Sequence, residues 1–428
     1  MTRFQLIFTS ILIASAVAAA ILFSVQRNAS TAVAVQVTLW GTVDHTTVTS
    51  FLSQVVLTNR DSANVKYVQK DASTFEGDLV AALARGQGPD MVLLPQDLIV
   101  SQRDKFYQIP FTSYSERAFK DAFIEEGELF LTADGIIGLP FLVDPMVMYW
   151  NRGIFSNANV PLPPSSWTEF YSLAPKIIQK DSSGNISQAL IAFGATNNLS
   201  HAKDVISMLA LQAGTRIVAL DQNGYFRSTF SEQSGGLVPG EQAVSFFTEF
   251  SDPVKPAYSW NRSLALDRNM FISGRLATYF GFASELSAIR SSNPNLNFDV
   301  SLVPQIPGRK VTFGSMQAVA LLKSSPNLAS AYAAAQVLTS EAMQTEWVKV
   351  SGYPPVRRAL LSVPQGNAYV SVFYEAALMS RGWLDPNAAG TNVAFDKLVE
   401  SVTSGRARTS EAVRNAGVDI ENLIPTNI

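Results

Sequence analysis

The chain has 428 residues, 47% of them hydrophobic, enough to fill two cores rather than one. Its 32 basic and 35 acidic residues leave a formal net charge of -3, which argues against a nucleic-acid partner held through phosphates. The absence of cysteine excludes disulfides, thiolate chemistry and lipid attachment through a cysteine, and two histidines, His45 and His201, argue against a histidine-rich metal site.

Arg3 precedes an apolar run over residues 4–25, long enough at about 1.5 Å per residue to cross a hydrocarbon core of about 30 Å. The run marks an exported chain. The small residues "SAVAAA" at 15–20 offer a cleavage site, yet "ILFSV" carries the run past them, as an uncleaved anchor would. An exported domain behind a single N-terminal span lies outside the cytoplasm.

After the linker, "VQVTLW" (35–40) is β-branched and reads as a strand, and the segment from Thr46 repeats apolar residues at helical spacing. "NVKYVQ" is a second strand. "STFEGDLVAALARG" is a second helix, with Ser73 or Thr74 as N-cap, Glu76 placed to form a capping box with Ser73, and Gly86 as its stop. "DMVLLP" is a third strand, so the pattern is βαβ and implies a mostly parallel sheet. Ligands of such sheets gather beyond the carboxyl ends of the strands, here at residues 40–44 and 95–97.

"GIIGLPFLV" and "MVMYWN" are both strand-like, but Asp144 and Pro145 interrupt any single continuous strand across them. Two strands joined without a tight turn suggest a crossing between domains. Loop chemistry follows in "NANVPLPPSS", then Ser165 or Ser166 caps the helix "WTEFYSLAPKIIQK". The C-terminal segment reads as two amphipathic helices broken at Ser404 and Gly405 and packed on the second lobe.

The run from "GIIGLPFLVDPMVMYWN" to "PSSWTEFYSLAPKI" resembles the extracellular solute-binding proteins of ABC-type sugar importers, the maltose-binding-protein group. "GQGPD", "FISGRLATYFGF", "VPQIPG", "TFGSMQAVALLKSS" and "SGYPPVRRAL" extend the likeness in the same order, from about residue 35 to the C-terminus. The resemblance implies an α/β fold of two lobes with a hinge and an interlobe cleft, preceded by the signal segment or transmembrane helix. Residues 1–34 would be anchor and linker, 35–143 with 312–360 the first lobe, and 144–311 with 361–428 the second. It also implies a monomer without a cofactor that captures a sugar or other small hydroxylated solute, neutral in charge, by hinge closure and hands it to permease subunits.

Sugar recognition needs aromatic faces and planar polar side chains. By the resemblance, Asp144 with Pro145 marks the hinge, the carboxylate facing the cleft. Trp40 stands at a strand end, as a cleft aromatic or as lobe packing. Asp44 is a ligand contact or the cap of the helix from Thr46. Gln96 and Asp97 follow the third strand, where relatives place sugar-binding groups. Asn197 follows the strand "ALIAFG". Trp260 and Phe282 are the aromatics of the second lobe, Phe282 standing where relatives often have Trp. Ser315 and Tyr353 belong to first-lobe segments near the cleft, and Trp383 in "RGWLDPN" is a stacking face or part of an ordinary turn. Two rivals stand beside transport: a membrane-tethered carbohydrate sensor or scaffold, and a glycoside hydrolase drawing two carboxylates from Asp44, Asp97 and Asp144.

Overall fold

The β-branched run QVTLWG forms β1 (Gln36–Gly41), and NVKYVQ forms β2 (Asn64–Gln69) parallel to it. Helix His45–Asn59 makes the crossover between them, burying Val48, Phe51, Leu52 and Val55. Helix Phe75–Ala84 returns to β3 (Met91–Pro95), which pairs with β1 on its other side. The sheet order β2-β1-β3 therefore changes direction between β1 and β3, where α/β sheets leave room for ligands beyond the strand ends. These coordinates come from a computed structural model, which describes residues 35–59 and 63–425; the anchor expected over residues 4–25 lies outside them. Among the described residues no helix is long and apolar enough to cross a membrane.

The expected capping box does not form. Thr74 occupies the N-cap position without a side-chain bond, Ser73 turns to Asp71, and Glu76 instead accepts from Ser101 Oγ at 3.0 Å and Gln102 Nε2 at 2.6 Å. A pair of tertiary donors wins over one local backbone N–H.

GLPFLVDPMVMYWN is one strand, β4 (Gly138–Asn151), with Asp144 and Pro145 inside it. This corrects the expectation of two strands, and the reason lies in its partners. Up to Pro145, β4 pairs antiparallel with β9 (Thr312–Leu321), and from Met146 with β7 (Leu276–Phe282). The missing N–H of Pro145 falls where the ladder passes from one partner to the other, so no run of bonds is broken. On the far side of β7 lie β6 (Ile186–Ile191) and β5 (Gln179–Lys180), while β8 (Phe298–Ser301) pairs with the end of β4 and β10 (Ser380–Arg381) with the start of β9.

Two hydrophobic cores result. One gathers β1, β2, β3 and the first half of β4 around Phe51, Phe141 and Trp347, whose rings meet at 4.6 to 5.6 Å. The other surrounds Tyr149, Trp167, Phe193 and Tyr279 and takes in Phe395, Leu398, Val413 and Ile420 of the last two helices, Ala388–Thr403 and Thr409–Asn422. The chain changes cores within single elements. Leu142 and Val143 belong to the first core, Met146 and Val147 to the second; on β9, Met316 belongs to the first and Phe313 to the second. Helix Ala368–Met379 lies against both, through Tyr374 and Ala377 on one side and Phe373 and Ala376 on the other.

Candidate functional site

A cavity of about 250 Å³ lies between the two cores. Pro95 reaches it from the end of β3, Gln96 and Asp97 from the turn after it, Phe313 and Ser315 from β9, and Phe282 from the end of β7. Helix Ala202–Ala213 contributes Lys203 and Asp204 from its first turn, and the segment after β10 contributes Trp383 and Asp385. The lobes also touch beside it: Val100, in a short helix of the first lobe, packs into the second lobe's core, and the Arg103 guanidinium lies 5.4 Å from the centre of the Phe226 ring. Contacts between the lobes thus flank the cavity.

The walls are charged. Lys203 Nζ sits 2.8 Å from Asp385 Oδ2 and also donates to Ala388 O and Thr391 Oγ1, each at 3.3 Å, so its three donors are engaged. Asp385 in turn accepts from Thr391 Oγ1 and the Asn387 N–H. Asp204 lies 3.6 Å from His201 Nδ1, and His201 Nε2 lies 2.8 Å from Glu285 Oε1. Burial works against charge on His201, but Asp204 and Glu285 outweigh it and hold the imidazole up at about 10. Asp97 has no hydrogen-bond or ion-pair partner among the described side chains. Burial first, then Asp385, push its carboxyl up to about 6, against the pull of Lys203.

Three aromatic rings complete the wall, Phe313 lying 6.3 Å from Phe282. Trp383 is 3% exposed, anchored through Nε1 to Ser207 Oγ at 3.1 Å, so its orientation is set before any ligand arrives. Phe282 meets the His201 imidazole edge-on at 4.9 Å.

Of the residues expected at the site, the fold brings Gln96, Asp97, Phe282, Ser315 and Trp383 to the cavity. It uses Gln96 for something else as well: Nε2 donates to Gly314 O at 2.8 Å and Oε1 accepts from the Met316 N–H at 3.1 Å, clamping β9 at its crossing. Asp144 does not line the cavity. It is the register partner of Ser315, its Oδ1 accepts from the Ser284 N–H at 3.0 Å, and burial first, with Glu285 adding to it, pushes it up to about 7. Tyr353 stacks on Trp347 at 6.3 Å and is pushed up to about 12 by burial and then by Asp144.

The other expected residues lie elsewhere. Trp260 is fully buried in the second core with Nε1 bonded to Asn198 Oδ1, and no face of it is free for a ligand. Asp44 accepts from the Thr47 N–H at 2.9 Å and is held below the usual carboxylate range by that bond first, which is capping. Trp40 packs on the first core with the Lys70 ammonium 3.9 Å above its ring. Asn197 is exposed and lines a separate hollow of about 230 Å³ beside Arg262 and Glu400, within the second lobe. Lys203, Asp204, Phe313 and Asp385 were not anticipated. The signal available for the first two was a charged triplet with His201 opening an otherwise apolar helix. Among the described residues no cluster of three or more His, Cys, Asp or Glu could hold a metal ion.

Near the crossing, Glu126 is 1% exposed and neither of its oxygens has a hydrogen-bond partner; the adjacent Ser380 hydroxyl donates to Ala377 O. Burial pushes this carboxyl up to about 7, against Ser380 and Arg381. Arg381 itself pairs with Glu125.

The sequence is 22% identical over 356 residues to a binding protein of Brucella abortus, spanning 81% of this chain and 82% of that one. The fold is similar to that of the sugar-binding protein of Xanthomonas citri (TM-score 0.74, 15% identity, 91% of this chain and 97% of that one). It is also similar to an ABC transporter solute-binding protein of Thermotoga lettingae bound with alpha-D-tagatose (TM-score 0.64, 20% identity, 91% and 100%). Both likenesses cover the two lobes and the cleft between them. The pattern shared by bacterial extracellular solute-binding proteins matches residues 58–373, well over half of the chain, and the chain belongs to that family.

Proposed function

We infer that the protein captures a small sugar or related polyol in the interlobe cavity and delivers it to the permease of an ABC-type importer. The observation that carries this reading is the cavity itself: Asp97 and Ser315 face Trp383 and Phe282 across it, so polar acceptors and aromatic faces, the two kinds of group a pyranose needs, meet at the junction of the lobes. At about 250 Å³ it suits one or two rings rather than a long chain, being below the range of about 300–1,000 Å³ common for drug-sized ligands. The similar folds that hold tagatose or maltotetraose support the sugar class.

Solute enters while the lobes are apart, and closure about Asp144 and Pro145 brings Asp97 up to Trp383. Ligand that contacts both lobes favours the closed state by its differential affinity. In this reading the lobes divide where the chain changes cores, near residues 143/144, between Phe313 and Met316 of β9 and along helix Ala368–Met379, rather than at 311/312 and 360/361, and the N-terminal segment tethers the domain outside the cytoplasm. A thermal-shift screen of the protein against sugars and polyols tests it, since a solute that binds only the folded state raises the melting temperature. A panel without any effect counts against it.

The hydrolase reading draws on one specific observation, Asp97 raised toward the range of a general acid with Asp385 in the same cavity. Release of sugar from a glycoside by the purified protein, abolished in Asp97→Asn, favours it over capture.

A further inference from the structure

The charges at the cavity do not balance around a neutral guest. Lys203 faces the cavity, but its ammonium is committed to Asp385, Ala388 O and Thr391. Asp204 has its counter-charge in His201. What remains is Asp97, a carboxylate on the first-lobe wall that is bonded by its own backbone N–H but has no side-chain donor or ion pair, and Lys203, the cation that draws on it, is already paired with Asp385. A carboxylate in a closed cavity is stabilised most by a group that brings both a proton donor and a positive charge. An anionic guest such as a sugar phosphate meets the opposite situation, a wall with three carboxylates and no free cation among the described residues.

We propose that the solute carries a protonated amine that pairs with Asp97, so that the protein takes an amino sugar in preference to the neutral or phosphorylated sugar of the same ring. This rests on the capture of a small sugar in this cavity. The ring lies against Trp383 and Phe282 and the ammonium points to the first lobe, which makes Asp97 the group through which closure reads the ligand. The clean separation of roles follows from placement: of the four charged groups on the wall, Asp97 comes from the turn after β3, whereas Lys203, Asp204 and Asp385 are all on the second lobe.

The test is calorimetric titration of the whole chain with glucosamine, galactosamine and mannosamine, each beside its parent hexose, its N-acetyl derivative and its 6-phosphate at neutral pH. At least one amine binds tenfold or more tightly than both its parent and its N-acetyl form, and the 6-phosphates bind worst. Asp97→Asn reduces that preference to less than twofold, while Asp97→Glu retains it; circular dichroism of both variants establishes that they fold. A parent hexose that binds as tightly as its amine, or a preference that survives Asp97→Asn, overturns the inference while leaving sugar capture intact. Absence of binding by every sugar in the set overturns both.

Discussion

The carboxyl of Glu126 lies against the α-carbon of Gly314, so close that a β-carbon on residue 314 would stand well inside van der Waals contact with both carboxyl oxygens. Gly314 is also the residue that Gln96 grips through its carbonyl and that pairs in register with Pro145. The backbone of β9 therefore passes the crossing squeezed between a buried acid and its neighbouring strand. Gly314→Ala should destabilise the protein by about 1–3 kcal/mol through overpacking. Adding Glu126→Ala should restore part of it, because the two changes share one contact. Urea unfolding of the single and double variants checks this; strictly additive losses would refute the shared contact.

Glu126 also sets a pH dependence. Its carboxyl is raised from the usual 4.5 to about 7 in the folded protein, so the native state holds a proton that the unfolded chain gives up. The associated stability is fully present below about pH 4.5 and is lost as pH rises through about 7, a change of about 3 kcal/mol. Glu126→Gln stays neutral throughout and should flatten this decline. Asp144 and Asp97, raised in the same direction, leave a residual slope in the variant. Denaturant unfolding at acidic, neutral and mildly alkaline pH decides it; parallel profiles for variant and wild type would contradict the assignment.

The Lys203–Asp385 pair, with side chains 16% and 5% exposed, is structural. Lys203→Met leaves Asp385 buried without its cation, and a loss of about 3–5 kcal/mol of stability is expected. Asp385→Leu in the same chain should recover much of that. Equal instability of single and double variants would show that Lys203 acts through other partners.

Trp383 holds one wall of the cavity. Trp383→Ala should weaken binding of the identified solute by about 1–3 kcal/mol, whereas Trp383→Phe, which keeps a ring but loses the bond to Ser207, should weaken it less. Titration at a temperature where both variants remain folded separates affinity from stability. Identical affinities for wild type and Trp383→Ala would remove Trp383 from the site.

The crossing was legible because its chemistry is local: an acid followed by an imino acid in the middle of a mostly apolar, buried, fourteen-residue strand has few uses there. Gln96 and Asp97 were legible for a related reason, since they follow a strand, where α/β sheets leave room for ligands, whereas Phe282 was suggested by the resemblance alone. Trp260 and Trp383 look alike in sequence, each an aromatic in a polar loop, and only packing separates a fully buried side chain from one that faces a cavity. Lys203 and Asp385 stand 182 positions apart, and their pairing depends on how the helix Ala202–Ala213 docks against the segment after β10. No local pattern encodes that docking. Asp44 illustrates the reverse case, in which a local cap satisfied the residue before any ligand could claim it.

β4 and β9 remain bonded to each other where they leave one core for the other, Ser315 opposite Asp144 and Gly314 opposite Pro145. They consequently form a two-stranded ribbon, which resists stretching and sliding but yields to torsion about its own length. In the opening proposed above, parting of the lobes would resemble the wringing of a strap: the ladder bonds would survive, displacement would grow with distance from the ribbon, and the outer rim would travel furthest for the least backbone strain.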